Sequence, residues 1–300
     1  MKKFFLSLLL FVSLSICVYS QQDPQYTQYM FNQLALNPAY AGSRDVFNVY
    51  SLLRNQWTGI DGAPKTLIFA AQAPLKSKKV GLGFQTFSET IGPQKVGGFL
   101  GSYAYRIKIK NGSLAMGLRY GFYNYRYNTI DYYDKGDPNA IQPQSQRFVQ
   151  TSDFGLYYHT QTLYWGISLT HLIPQKLTSI ASDSSITAPH LYITFGKAFQ
   201  LSPNVIFNPS ILLSGTQGSG STDINLNFFL DQKIWLGMSL RQKYGLSFLA
   251  QYCFTEKLKF GYAFDWGLNQ LGIRSGGSHE IMLQYDFNTL KTKTLSPRFL

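Results

Sequence analysis

The chain has 300 residues and a formal net charge of +12, yet only 14% of its residues are charged, while Tyr (21), Phe (23) and Gly (26) are abundant. Its two cysteines, Cys17 and Cys253, are too few for a disulfide-stapled secreted scaffold, so stability has to come from an extensive hydrogen-bonded framework. Beyond the first twenty residues no apolar run approaches the roughly 20 residues of a membrane-spanning helix. That leaves a closed sheet, with every backbone group paired, as the way for such a chain to cross a bilayer.

Lys2 and Lys3 precede an apolar stretch from Phe4 to Val18, the order of charge then apolar core found in secretory signal peptides. Val18 and Ser20 stand at the small-residue positions ahead of a cleavage point, so residues 1–20 are expected to be removed between Ser20 and Gln21. Cys17 raises a lipoprotein alternative, which the bulky Ile16 before it opposes. Residues 21–45 are too polar for a membrane strand yet carry Tyr26, Tyr29, Met30, Phe31, Leu34, Leu36 and Tyr40. They are expected to fold into a lumen as a plug, with Asn37 and Pro38 making a tight turn, or else to form a periplasmic extension.

From residue 46 to 287 apolar and polar or small residues alternate. Leu258, Phe260, Tyr262, Phe264 and Trp266 share one face of a strand, and Lys259, Gly261, Ala263 and Asp265 the other. Phe99, Gly101, Tyr103, Tyr105 and Ile107 likewise oppose Leu100, Ser102, Ala104 and Arg106, and Ile281, Leu283, Tyr285 and Phe287 oppose Glu280, Met282, Gln284 and Asp286. A period of two sustained at this length specifies strands with one lipid-facing and one wet or small face. Strands are expected at 46–57, 65–73, 79–89, 96–108, 113–127, 152–159, 163–172, 190–200, 205–214, 222–230, 234–241, 245–254, 258–268 and 278–287. The even count suits an all-β, antiparallel up-and-down transmembrane barrel of about 14 strands.

Connection lengths alternate as well. Long connections at 128–151, 173–189, 215–221 and 269–277 alternate with short ones, among them the Asn111-Gly112 turn pair. Short periplasmic turns and longer outer loops are the asymmetry of outer-membrane barrels. On that topology Lys76, Lys78, Lys79, Lys108, Lys110, Lys197, Lys233, Lys257 and Lys259 fall on a periplasmic rim, followed by a basic tail, 288–300, with Lys291, Lys293 and Arg298. Such a rim suits anionic lipid headgroups or an acidic periplasmic subunit equally well. The compartment leaves no role for nucleic acid.

Chemistry finds little foothold. His159, His171, His190 and His279 form no metal-ligand spacing, and no cofactor motif is present. Ser278-His279-Glu280 places a nucleophile, a base and an acid side by side, but neighbours on a strand point to opposite faces. An enzyme is therefore not expected, and His279 reads as a polar strand-end residue. Arg54, Trp57, Asp61 and Lys65 gather around the first outer connection, either as a buried charge pair at the barrel mouth or as a contact surface for a partner.

Gln22-Asp23-Pro24-Gln25-Tyr26-Thr27-Gln28-Tyr29-Met30-Phe31-Asn32, followed by Leu36-Asn37-Pro38-Ala39-Tyr40-Ala41-Gly42, resembles the PorP/SprF family, outer-membrane proteins of the type IX secretion system in Bacteroidota. The resemblance continues at Arg54-Asn55-Gln56-Trp57, at Asp61-Gly62-Ala63-Pro64-Lys65-Thr66 and at Ser278-His279-Glu280-Ile281-Met282-Leu283. It implies a non-enzymatic role beside secretion subunits or exported adhesins carrying C-terminal sorting domains, including gliding-type adhesins. The alternative is a transporter of hydrophobic or small solutes resembling the 14-stranded fatty-acid channels, which also carry an Asn-Pro-Ala stretch near their start.

Overall fold

The computed structural model describes residues 25–127, 145–175, 187–216, 219–242 and 244–287. The signal-peptide expectation, the tail at 288–300 and much of two long connections, 128–144 and 176–186, lie outside them.

In chain order the strands are β1 (Asn48–Asn55), β2 (Lys65–Pro74), β3 (Val80–Ile91), β4 (Gln94–Ile109), β5 (Gly112–Tyr127), β6 (Ser145–His159) and β7 (Leu163–Thr170). They continue as β8 (His190–Lys197), β9 (Phe199–Ser202), β10 (Val205–Thr216), β11 (Ser219–Leu230), β12 (Ile234–Arg241), β13 (Gly245–Cys253), β14 (Leu258–Gly267) and β15 (Ser278–Asp286). The short β8 and β9 are two pieces of one wall strand, since β10 pairs with both and its ladder shifts between Val205 and Ile206. All pairings are antiparallel, and β1 pairs with β15 from Asn48↔Asp286 to Asn55↔His279. The sheet is therefore a closed 14-stranded barrel with no free edge, the arrangement that satisfies every strand's backbone in lipid.

The faces follow the alternation. On β11, Ile224, Leu226 and Phe228 are exposed and Asp223, Asn225, Asn227 and Phe229 buried. On β4, Phe99, Tyr103, Tyr105 and Ile107 are exposed while Leu100, Ser102, Ala104 and Arg106 are buried. The core thus lies inside the ring, not between layers. Among the described residues no helix is long and apolar enough to cross a membrane.

Two connections differ from expectation. β10 and β11 run on to Thr216↔Ser219, so residues 215, 216 and 219–221 of the long loop expected at 215–221 belong to the ladder. β6 starts at Ser145, pairing residues expected in a loop with the end of β5, from Gly121↔Thr151 to Tyr127↔Ser145. With 16 residues each, β4 and β5 exceed the roughly 9–11 residues needed to span a bilayer, whereas β12 has eight. The wall is tall on the β4–β6 side and low at β12–β13. Between β14 and β15 a single helical turn, α1 (Gln270–Arg274), is capped by Asn269, whose side chain accepts from the Gly272 N–H at 2.7 Å.

Candidate functional site

Residues 26–46 precede the wall, and all but Tyr26, Ala35 and Asp45 are buried. The segment folds as three single 3-10 turns, Tyr29–Phe31, Gln33–Ala35 and Pro38–Tyr40. Local chemistry sets the third turn. The Asn37 side chain accepts from the Ala39 N–H at 2.9 Å, and Pro38 occupies the first helical position, where its missing N–H costs nothing. The same Asn37 amide donates to the carbonyls of Leu156 (2.8 Å) and Ile167 (3.4 Å) in β6 and β7. One side chain therefore starts the turn and ties it to the wall.

Irregular backbone away from water needs a partner for each polar group. Here the partners are inward side chains of the strands. Arg119 donates to the carbonyls of Leu34 (2.9 Å) and Ala35 (3.1 Å), and Ser168 to that of Leu36 (2.6 Å). Arg106 donates to the Ala41 carbonyl, and Gly42 N–H donates to Gln72 at 2.9 Å. Apolar contacts fill the spaces between: Phe31 meets Trp235 edge-on at 5.6 Å between ring centres, and Tyr40 meets Tyr157 at 5.2 Å. The wall makes room for the backbone with glycine. A side chain at Gly117 would overlap the backbone of Ala39, and one at Gly155 the Asn37 amide. A side chain at Gly81 would overlap the Ala41 carbonyl, and one at Gly83 would press on the Leu34 side chain.

The segment's contacts are ordered along the barrel. At the short-turn end Arg44 pairs with Asp286 at 3.0 Å, and Asn48 donates to the same carboxylate at 2.7 Å. At the long-loop end Arg241 donates to the Tyr26 carbonyl at 3.2 Å. Thr27 and Gln28 N–H groups donate to the two oxygens of Glu280 at 2.7 and 3.0 Å, and the Thr27 hydroxyl donates to Asp265 at 2.6 Å. Arg54 bridges Asp265 (2.7 Å) and Glu280, and Arg241 pairs with Asp223 at 2.7 Å. Two guanidiniums therefore meet three buried carboxylates, and backbone N–H groups of the segment supply further donors to Glu280. An isolated buried ion costs several kcal/mol, and the Thr27 and Gln28 donors offset part of that cost at Glu280 and Asp265. Between the ends, the Asn225 amide donates to the Tyr29 hydroxyl at 2.5 Å; burial pushes that hydroxyl's pKa well above its ordinary value, with Tyr164 and Asp223 adding to the effect.

The residues singled out from sequence fall into three groups. Asn37, Pro38, Tyr40, Arg54 and Glu280 are brought together around the lumen. Trp57, in the left-handed region at φ 48°, stitches the first outer connection to the last: its backbone N–H donates to the Ser278 hydroxyl at 3.1 Å. Asp61 and Lys65 are exposed, and the partners of Arg54 are Asp265 and Glu280 from the far end of the chain. His279 faces outward and shares a 2.7 Å hydrogen bond with the Tyr262 hydroxyl. Of the basic rim, Lys76, Lys78, Lys79, Lys108 and Lys110 are exposed and Lys257 is half-buried. Lys259 does not join them: its strand position turns it inward, in the electrostatic company of Arg44, Asp286 and Cys253.

Sequence reasoning missed Arg106, Arg119, Asp153, Asp223 and Arg241. A signal was available for four of them: Arg119↔Asp153 and Asp223↔Arg241 are opposite charges directly across a hairpin, both on inward positions. Among the described residues no group of three or more His, Cys, Asp or Glu could hold a metal ion.

The family model for the type IX secretion system membrane protein PorP/SprF matches residues 18–285. No curated protein matches the chain. Among solved structures, the Acinetobacter baumannii outer membrane protein Omp33 is similar at 10% identity and TM-score 0.48, covering 81% of this chain and 98% of its own. A Pseudomonas aeruginosa FadL homologue is similar at 11% identity and TM-score 0.47, covering 89% of this chain and 95% of its own.

Proposed function

Because the chain belongs to the PorP/SprF family of type IX secretion membrane proteins and is an outer-membrane β-barrel, we propose that it serves that system as a closed binding platform. In this reading residues 26–46 are a plug, and the protein neither conducts solute nor catalyses a reaction. One observation carries the proposal: the segment hydrogen-bonds to β2, β4, β5, β6 and β7 on one side and to β12, β14 and β15 on the other. A filled lumen removes the reason for a channel and leaves the two ends as working surfaces.

Short turns face the periplasm and long loops the exterior in barrels of this kind. The periplasmic end then presents Lys76, Lys78, Lys79, Lys108 and Lys110 to acidic secretion subunits, beside anionic lipid headgroups. The outer end receives exported proteins that carry C-terminal sorting domains, gliding-type adhesins among them.

Co-purification from outer membranes tests this directly. The barrel is expected to bring down type IX subunits and sorting-domain proteins, and with these five lysines changed to Gln the periplasmic partner is expected to be lost. Recovery of neither class, together with a steady conductance of the purified barrel in planar bilayers, overturns the platform in favour of the transporter.

A further inference from the structure

A cavity of about 220 Å³ opens at the long-loop end, between the start of the lumen segment and the walls of β8, β10, β11 and β12. Four tyrosines line it: Tyr26 and Tyr29 from the segment, Tyr192 from β8 and Tyr244 from the β12–β13 turn. Around them stand small polar residues, including the facing pair Ser214 and Ser221 at the top of the β10–β11 ladder. The aromatic sides are fixed in place. Tyr192 stacks on His190 at 6.3 Å with an 11° interplanar angle, Arg241 lies 5.8 Å from the Tyr244 ring centre, and Tyr244 shares a 2.9 Å hydrogen bond with Ser278.

Size and composition together restrict the occupant. An apolar cavity of about 150 Å³ accepts a benzene ring, so this one has room for a single aromatic side chain. Tyrosine set among Ser, Gly and Thr is the composition of protein-binding paratopes: rigid amphipathic contact area beside adaptable hydrogen-bonding groups. Tyr and Arg are also the residue types that dominate binding energy in well-packed interfaces.

We infer that this cavity is the recognition pocket of the outer face, taking an aromatic side chain from a protruding loop or chain end of an exported polypeptide. The inference rests on the platform reading above and names the surface that such a platform uses. Since two of the four tyrosines belong to the lumen segment, the occupant touches plug and wall at once, and its binding stabilises the segment's outer end.

The test uses the full barrel, purified and refolded in detergent, and as probe a purified C-terminal sorting domain from a type IX substrate of the same cell. Ser214→Trp and Ser221→Trp each fill the cavity from facing strands and are expected to weaken binding at least ten-fold. Lys95→Trp, exposed at the start of β4 and outside the cavity lining, is expected to leave affinity unchanged. If the Trp variants fail to fold, Tyr244→Ala replaces them, with the same loss expected. Unchanged affinity in a folded, cavity-altered barrel overturns the pocket and leaves the platform standing. No binding to the native barrel overturns both.

Discussion

Along β11, Ile224, Leu226 and Phe228 look outward, while Asp223, Asn225 and Asn227 look inward, and the two faces carry different kinds of information. Outside, only apolar character matters, because hydrocarbon makes no demand on shape or hydrogen bonding. Inside, identity matters: Asp223 answers Arg241, and Asn225 answers the Tyr29 hydroxyl. A barrel wall on this scheme is tolerant on one face and specific on the other. The specific face is written to fit one segment of the same chain.

Substitutions on the two faces should therefore differ sharply. The largest effect is expected from Arg54→Met, which leaves Asp265 and Glu280 buried without their guanidinium. Removing one partner of such a pair costs about 3–5 kcal/mol, read as a lowered urea midpoint of the folded barrel. A full-strength barrel carrying this change would contradict the cluster. Next comes Gly117→Val, whose side chain overlaps Ala39. About 1–3 kcal/mol of overpacking is expected, together with new chymotrypsin cleavage between Tyr26 and Tyr40 in intact outer membranes. Asn37→Ala removes a helix cap and should cost about 1 kcal/mol in the same urea measurement. At the bottom of the scale, Leu226→Ile on the outward face should stay within about 0.5 kcal/mol of the native barrel. A cost there matching that of Asn37→Ala would erase the distinction between the faces.

Much of the wall was legible because alternation is local. A period of two located the strands to within a few residues, and both β14 and β15 present the faces expected of them. Where the reading slipped, the cause was polar alternation above the membrane band: residues 145–151 and 219–221 carry few apolar side chains to mark a strand, yet extend the ladders of β5 and β10. The lumen was legible only in part. Asn37 and Pro38 announce a turn through short-range chemistry, but the partner of Arg54 lies more than 200 residues away and is set by closure of β1 on β15. Proximity in sequence favoured Asp61 and Lys65, which are exposed. Charges that face each other across one hairpin, such as Arg119 and Asp153, are the recoverable kind.

Whether the segment from Tyr26 to Val46 is held by the wall is measured most directly by amide hydrogen exchange on the intact barrel. Thr27, Gln28, Ala39 and Gly42 donate their N–H groups to buried acceptors, and their exchange is expected to be as slow as that of neighbouring strands. Exchange of this segment within seconds, while the strands of a folded barrel remain protected, would contradict the account.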